Sequence, residues 1–89
     1  MSTKIVDTMS PAQCRAARAL LGMTQSELAK NARLGLSTIV DFERERRRVS
    51  SDAAKAMQDA LERAGIEFIR QNGGGVGIRL RNGHSRAKR

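Results

Sequence analysis

TQSELAKNARLGLSTIVDFE, running from Thr24 to Glu43, is the stretch whose reading decides the fold. It divides into two short helical segments joined by a tight turn. The first places Leu28, Ala29 and Ala32 on one face, and the second places Ile39 and Phe42 on one face, as a 3.6-residue period requires. The first segment also carries its own start signal. Thr24 can accept from the backbone N–H of Glu27 while the Glu27 carboxylate reaches back to the N–H of Thr24, so two donors that a helix start leaves orphaned find partners. Met23 and Leu28 stand at the positions of a hydrophobic staple. On the second segment the same period turns Leu36, Ser37, Val40, Asp41 and Arg44 outward together. A projecting stripe of short polar, apolar and basic side chains suits the major groove of a duplex.

Upstream, Ser10 as N-cap, Pro11 at the first helical position and Gln13 two residues on predict a helix running to Leu21 and stopping at Gly22, with Met9 and Cys14 as its staple. Its expected core stripe is Ala17, Leu20 and Leu21, with Arg15 and Arg18 off it. Downstream, Ser50 or Ser51 opens another helix with Asp52 in the first turn, where a carboxylate complements the helix dipole. Ala53, Met57, Ala60, Leu61 and Ala64 form its apolar stripe and Gly65 ends it. The period then changes to two. Residues 66–70 and 76–81 read as short strands, the second alternating Val76, Ile78 and Leu80 with Gly77, Arg79 and Arg81, and the Gln71–Gly75 stretch supplies the turn of a β-hairpin. The glycines lack the lysine and following helix of a phosphate loop. Residues 1–9 are expected to form a flexible arm and residues 82–89 a disordered basic tail, which leaves 10–65 as the helical domain and 66–81 as the hairpin.

The 89-residue chain has room for one small domain, which buries only about 60% of its unfolded surface and so benefits from a partner subunit. With two phenylalanines, no tyrosine and no tryptophan, the core has to be aliphatic and alanine-rich, which favours close-packed short helices. Seventeen Lys and Arg against nine Asp and Glu leave a net charge of +8, which attracts a polyanion. Cys14 is the sole cysteine and excludes an internal disulfide; its position within the first helix suits buried packing. One histidine, His84, without acidic or thiol company, argues against a metal site and a catalytic triad. No paired-carboxylate motif or cofactor fingerprint is present, so the chain reads as a non-enzyme without a cofactor. No apolar run approaches the roughly 18 residues of a membrane span, and the expected location is the cytoplasm, at the nucleoid.

The segments Ala-Leu-Leu-Gly-Met-Thr-Gln-Ser-Glu-Leu-Ala at 19–29 and Ser-Thr-Ile-Val-Asp-Phe-Glu-Arg at 37–44 carry a resemblance to the Xre/Cro family of bacterial and phage DNA-binding regulators, covering roughly Ser10 to Ala64. The resemblance implies a mostly α, four-helix, lambda-repressor-like DNA-binding domain. Here it would end in a β-hairpin instead of the family's fifth helix. Small regulators of this family with a Gly-Ile-Glu-Phe-Ile and Gly-Gly-Gly-x-Gly ending look similar to residues 65–69 and 73–77.

By that resemblance Leu36, Ser37, Val40 and Asp41 would lie near base edges. Thr24 and Gln25 would sit at the DNA with Gln25 bonding phosphate and buttressing the recognition helix, and Thr38 and Arg44 would touch the backbone. The run Arg44-Glu45-Arg46-Arg47-Arg48 would follow the phosphates, to which the planar arginine fork is suited. Arg18 would pair with Glu43, bracing the first helix against the recognition helix. Arg33 stands where the family's turn normally has glycine, Glu45 where glycine is frequent and Val49 where proline is common. The expectation is therefore that Gly35 takes the left-handed conformation and frees Arg33 to meet a phosphate. The hairpin residues Ile66, Phe68, Ile69, Val76, Ile78 and Leu80 are the expected dimer interface.

The reading is a homodimeric transcription regulator, repressor or activator, on double-stranded palindromic DNA. The alternative is a protein-binding module, an antitoxin or an antagonist of another regulator, that docks a toxin or regulator through the hairpin.

Overall fold

The computed structural model describes residues 9–69 and 77–81, in which four helices are followed by two antiparallel strands: α1 (Pro11–Leu21), α2 (Gln25–Ala32), α3 (Leu36–Glu43), α4 (Ser51–Arg63), β1 (Ile66–Ile69) and β2 (Gly77–Leu80). The 1–8 arm, the Gln71–Gly75 turn, Val76 and the 82–89 tail with His84 lie outside the described residues.

Three of the four helix starts have a local side-chain cause. Ser10 Oγ accepts from the Gln13 N–H at 3.1 Å while Gln13 Oε1 accepts from the Ser10 N–H at 2.8 Å, closing a capping box with Pro11 at the first position. The Gln13 amide has a second duty: its Nε2 donates to the Gly77 carbonyl at 3.1 Å and so fastens α1 to β2. Thr24 and Glu27 close the same kind of box on α2 at 3.0 and 2.9 Å. Ser50 caps α4 through the Ala53 N–H, whereas α3 begins at Gly35 with no side-chain cap.

The first three helices end alike. In each, a residue in the left-handed region turns the chain, and the N–H after it bonds a carbonyl five residues back: Met23 to Arg18, Leu34 to Ala29 and Arg46 to Asp41, all at 2.9 Å. The turning residues are Gly22, Arg33 and Glu45, at φ of 67°, 60° and 57°. Only the first is the residue type that makes this conformation inexpensive. Gly35 does not take the left-handed role expected of it; its φ is −72°, and Arg33 carries the turn instead. The reason is helical geometry. The residue that must turn is the one directly after Ala32, so that Leu34 can bond back to Ala29 and pack against the core as the hydrophobic partner of the motif.

The core is aliphatic, built from Cys14, Ala17, Leu21, Leu28, Ile39, Met57, Leu61 and Ile66. Leu20, expected in that core, is 47% exposed, because the buried stripe of α1 runs through Cys14, Ala17 and Leu21 and rotates Leu20 out. On α4 the stripe is Ala54, Met57, Ala60 and Leu61, with Ala53 and Ala64 half-buried beside it. Met9, counted with the flexible arm, is buried and donates its N–H to Gln58 Oε1 at 3.0 Å, which fastens it to α4.

The hairpin lies on the helices. Ile66 faces Leu80 and Phe68 faces Ile78 across the strands, and these side chains pack against α1 and α4. Strand alternation turns Glu67, Ile69 and Arg79 to the other face, where Arg79 Nε meets Glu67 Oε1 at 3.0 Å. Ile66 is therefore corrected from the dimer interface to the interior: it is fully buried within its own chain and has no surface to offer a second subunit.

A left-handed conformation costs a side-chain-bearing residue roughly 1–2 kcal/mol. Arg33→Gly is accordingly expected to raise the urea midpoint by the equivalent of about 1 kcal/mol with an unchanged slope. A lower midpoint would mean that contacts of the Arg33 side chain outweigh the backbone relief.

A buried carboxylate aims the candidate nucleic-acid interface

Glu43 is the one buried charged residue among those described, at 2% exposure, and it closes α3 where the helix dipole disfavours an anion. What holds it there is saturation. Arg18 grips the carboxylate with both arms of its fork, Nε to Oε2 at 2.7 Å and Nη2 to Oε1 at 2.6 Å. The Cys14 thiol donates to Oε2 at 3.1 Å and the Gln25 amide to Oε1 at 3.0 Å. Four donors thus meet the roughly four lone-pair positions a carboxylate offers. Arg15 Nη1 donates to the Glu43 backbone carbonyl, satisfying an acceptor that the end of α3 would otherwise leave open. Arg18 Nη1 also bonds the Met23 carbonyl at 3.1 Å in the α1–α2 turn. Side chains from α1 and α2 therefore converge on the last residue of α3 and fix its rotation.

Burial opposes ionisation of Glu43, and the hydrogen bonds from Arg18, Cys14 and Gln25 outweigh it, holding the carboxyl below its ordinary range. The hydrogen bond to Glu43 holds the Arg18 guanidinium firmly in its charged form. Burial, reinforced by Glu43, pushes the Cys14 thiol far up, which keeps the proton it donates.

With Ile39 and Glu43 locked inward, α3 presents its other side. Leu36 is 46% exposed, Ser37 is exposed, and Val40, Thr38 and Asp41 are half-buried. Arg44, Arg46, Arg47 and Arg48 follow directly and are all exposed. Asp41 is already engaged, with Arg47 Nε at 2.8 Å from Oδ2 and Arg46 Nη1 at 3.9 Å from Oδ1. Thr24 is exposed at the start of α2, its Oγ1 serving as the cap acceptor; Gln25 spends one N–H on Glu43 and has a second. Arg33 is exposed at the end of α2, where it lines an open groove with Asn31, Ala32, Ala56, Asp59 and Arg63. That groove lies between α2 and α4, apart from the side chains of the α3 face.

Three of these roles escaped the sequence reading. Cys14 and Arg18 are four residues apart on one helix and so share a face, which was a usable signal for Cys14 as a partner of the pair. Nothing in the sequence pointed to Arg15 at the Glu43 carbonyl. The Asp41–Arg47 pair depends on the direction the chain takes after Glu45, which side-chain spacing does not encode.

An α2–turn–α3 unit, braced from behind and fronted by an exposed helix face beside four arginines, defines a helix-turn-helix DNA-binding domain. The helix-turn-helix family profile matches residues 15–68. The chain belongs to that family, the Xre/Cro-like DNA-binding regulators of transcription. No curated protein gives a significant match. Among the described residues no helix is long and apolar enough to cross a membrane.

Removing one partner from a buried ion pair costs about 3–5 kcal/mol, and the partial exposure of Arg18 favours the lower end. Glu43→Gln should thus cost about 3 kcal/mol at pH 7, against a total of roughly 4–13 kcal/mol for a domain of this length. Because the folded carboxyl titrates below its unfolded value of about 4.3, its contribution is complete above that pH and is lost as pH falls through the folded value. Urea titrations from pH 7 to pH 3 should show wild type and Glu43→Gln converging in acid; parallel curves would contradict this. Cys14 should resist alkylation in the native protein and react only at urea concentrations that unfold it.

Proposed function

We propose that this regulator binds a palindromic DNA operator as a homodimer, with α3 in the major groove and Arg44, Arg46 and Arg48 on the phosphates. The observation that carries the reading is the two-sidedness of α3. Ile39 and Glu43 are locked into the body, while Leu36, Ser37, Val40 and Arg44 stand outward beside Arg46 and Arg48. In this reading Ser37 exchanges hydrogen bonds with a base edge, and Leu36 and Val40 lie on thymine methyl groups. Thr24, the second N–H of Gln25, Thr38, Arg44, Arg46 and Arg48 meet the backbone, which sets register without carrying sequence information.

Residues 10–65 then form the reading unit and 66–81 the element that joins two subunits. Because Ile66, Phe68, Ile78 and Leu80 turn toward the helices, the proposed contact is the outward face of the hairpin, at Ile69, Glu67 and Arg79. Two copies would address half-sites about 34 Å apart on one side of the duplex. Bound across a promoter the dimer represses, and bound just upstream it activates.

Titrating duplexes with the purified protein at several salt concentrations tests this reading. Log K is expected to fall with log salt by about 0.9 for each phosphate neutralised. Arg48→Ala should lower affinity for all duplexes alike and reduce that slope by about one. Ser37→Ala should instead change which duplex is preferred, and an equal loss at every sequence would remove Ser37 from the base-reading set.

A further inference from the structure

The arginines that follow α3 are not equivalent. Glu45, in the left-handed region, turns the chain back so sharply that the Arg46 N–H reaches the Asp41 carbonyl at 2.9 Å. The next residue then lays its side chain against α3, with Arg47 Nε at 2.8 Å from Asp41 Oδ2. Asp41 is only 22% exposed in this arrangement, while Arg47 remains 53% exposed. The carboxylate thus takes the Nε–H of the guanidinium, and Nη1 and Nη2 have no hydrogen-bond partner among the described residues.

We propose that Asp41 is a positioning residue for Arg47, and that Arg47 so held is a specificity-determining residue that reads a guanine in the major groove. The inference rests on the DNA-binding reading given above. It sets Asp41 behind the base-reading side chain instead of at a base edge itself, since that carboxylate is already shared between Arg47 and Arg46.

Two arguments separate this from a phosphate contact. A carboxylate 2.8 Å from the guanidinium repels a phosphate brought to the same arginine, so a side chain meant for the backbone gains nothing from such a neighbour. The edge of guanine is uncharged and presents O6 and N7 side by side, a pair of acceptors that the two outer nitrogens can fork. The second argument is placement. Asp41 follows Ser37 by four residues, about one turn, on the same outward face, so the guanidinium that Asp41 holds lies beside the stripe assigned to base edges. Exposed ion pairs add little to stability. The effect of this one is to fix the orientation of a side chain that otherwise has many rotamers, and the pair strengthens when water is excluded at the interface.

The test selects the preferred duplex from a randomised pool with the full chain, then measures wild type and variants on it and on every single-base-pair change. Arg47→Ala is expected to lose roughly tenfold to a hundredfold on the preferred duplex, the value of a bidentate base contact, and to become indifferent at one G·C pair. Arg47→Lys keeps the charge but not the planar fork and should lose the same preference. Asp41→Asn should relax preference at that same base pair, and the double variant should be no worse there than Arg47→Ala. Circular dichroism confirms that each variant is folded. The proposal is overturned if Arg47→Lys keeps the wild-type preference, or if Arg47→Ala weakens all duplexes equally and lowers the salt slope by about one. It is also overturned if Asp41→Asn alters a base pair that Arg47→Ala leaves untouched. A wild-type chain with no affinity for any duplex would defeat the DNA-binding reading itself, and this inference with it.

Discussion

The carboxylate of Glu43 is the constraint on which the rest of the molecule depends. A charge removed from water is normally a liability, and it is tolerated here because Arg18, Cys14 and Gln25 supply every hydrogen bond it can accept. The arrangement is directional in a way that aliphatic packing is not. Ala17, Leu28 and Ile39 would accept a slightly rotated α3 with little change in buried area, whereas four donors converging on two oxygens would not. The hydrophobic core holds the helices together, and the polar cluster sets the angle at which one of them faces outward.

Much of the architecture was legible in the sequence because its causes are local. The boxes at Ser10–Gln13 and Thr24–Glu27 each rest on two side chains that accept from each other's backbone N–H across three residues, so spacing alone reveals them. The alternation of Ile78 and Leu80 with Arg79 likewise marks a strand whose two faces differ. Where the reading failed, the cause was non-local. Whether Leu20 or Cys14 faces inward depends on where α3 docks, and Ile66 is interior because α4 and β1 meet over it. The site was legible in part by resemblance, since the family pattern implies Arg18 and Glu43 as a pair. The coupling of Asp41 to Arg47 followed only from the path of the chain beyond Glu45.

The left-handed residues Arg33 and Glu45 show how tertiary demands override residue preference. Each stands where the chain must reverse within one residue so that Leu34 or Arg46 can bond back to the preceding helix. Glycine would meet that demand at lower backbone cost. A long charged side chain at either place keeps a basic or acidic group close to α3 or its neighbour α2. The turn after α3 therefore shapes the charged surface and ends the helix at the same time.

Gln13 shows a different economy. Either glutamine or glutamate completes a capping box, since both offer an oxygen to the N–H at the start of the helix. Here the other half of the group is also in use, its amide hydrogen pointing to the Gly77 carbonyl across 64 positions of chain. A glutamate would cap α1 equally well and set a negative oxygen against that carbonyl. The choice of the neutral amide is thus made by the hairpin, not by the helix. The second strand is thereby tied to the first turn of the helix whose Cys14 and Arg18 steady Glu43, so the hairpin and α3 share one mechanical frame.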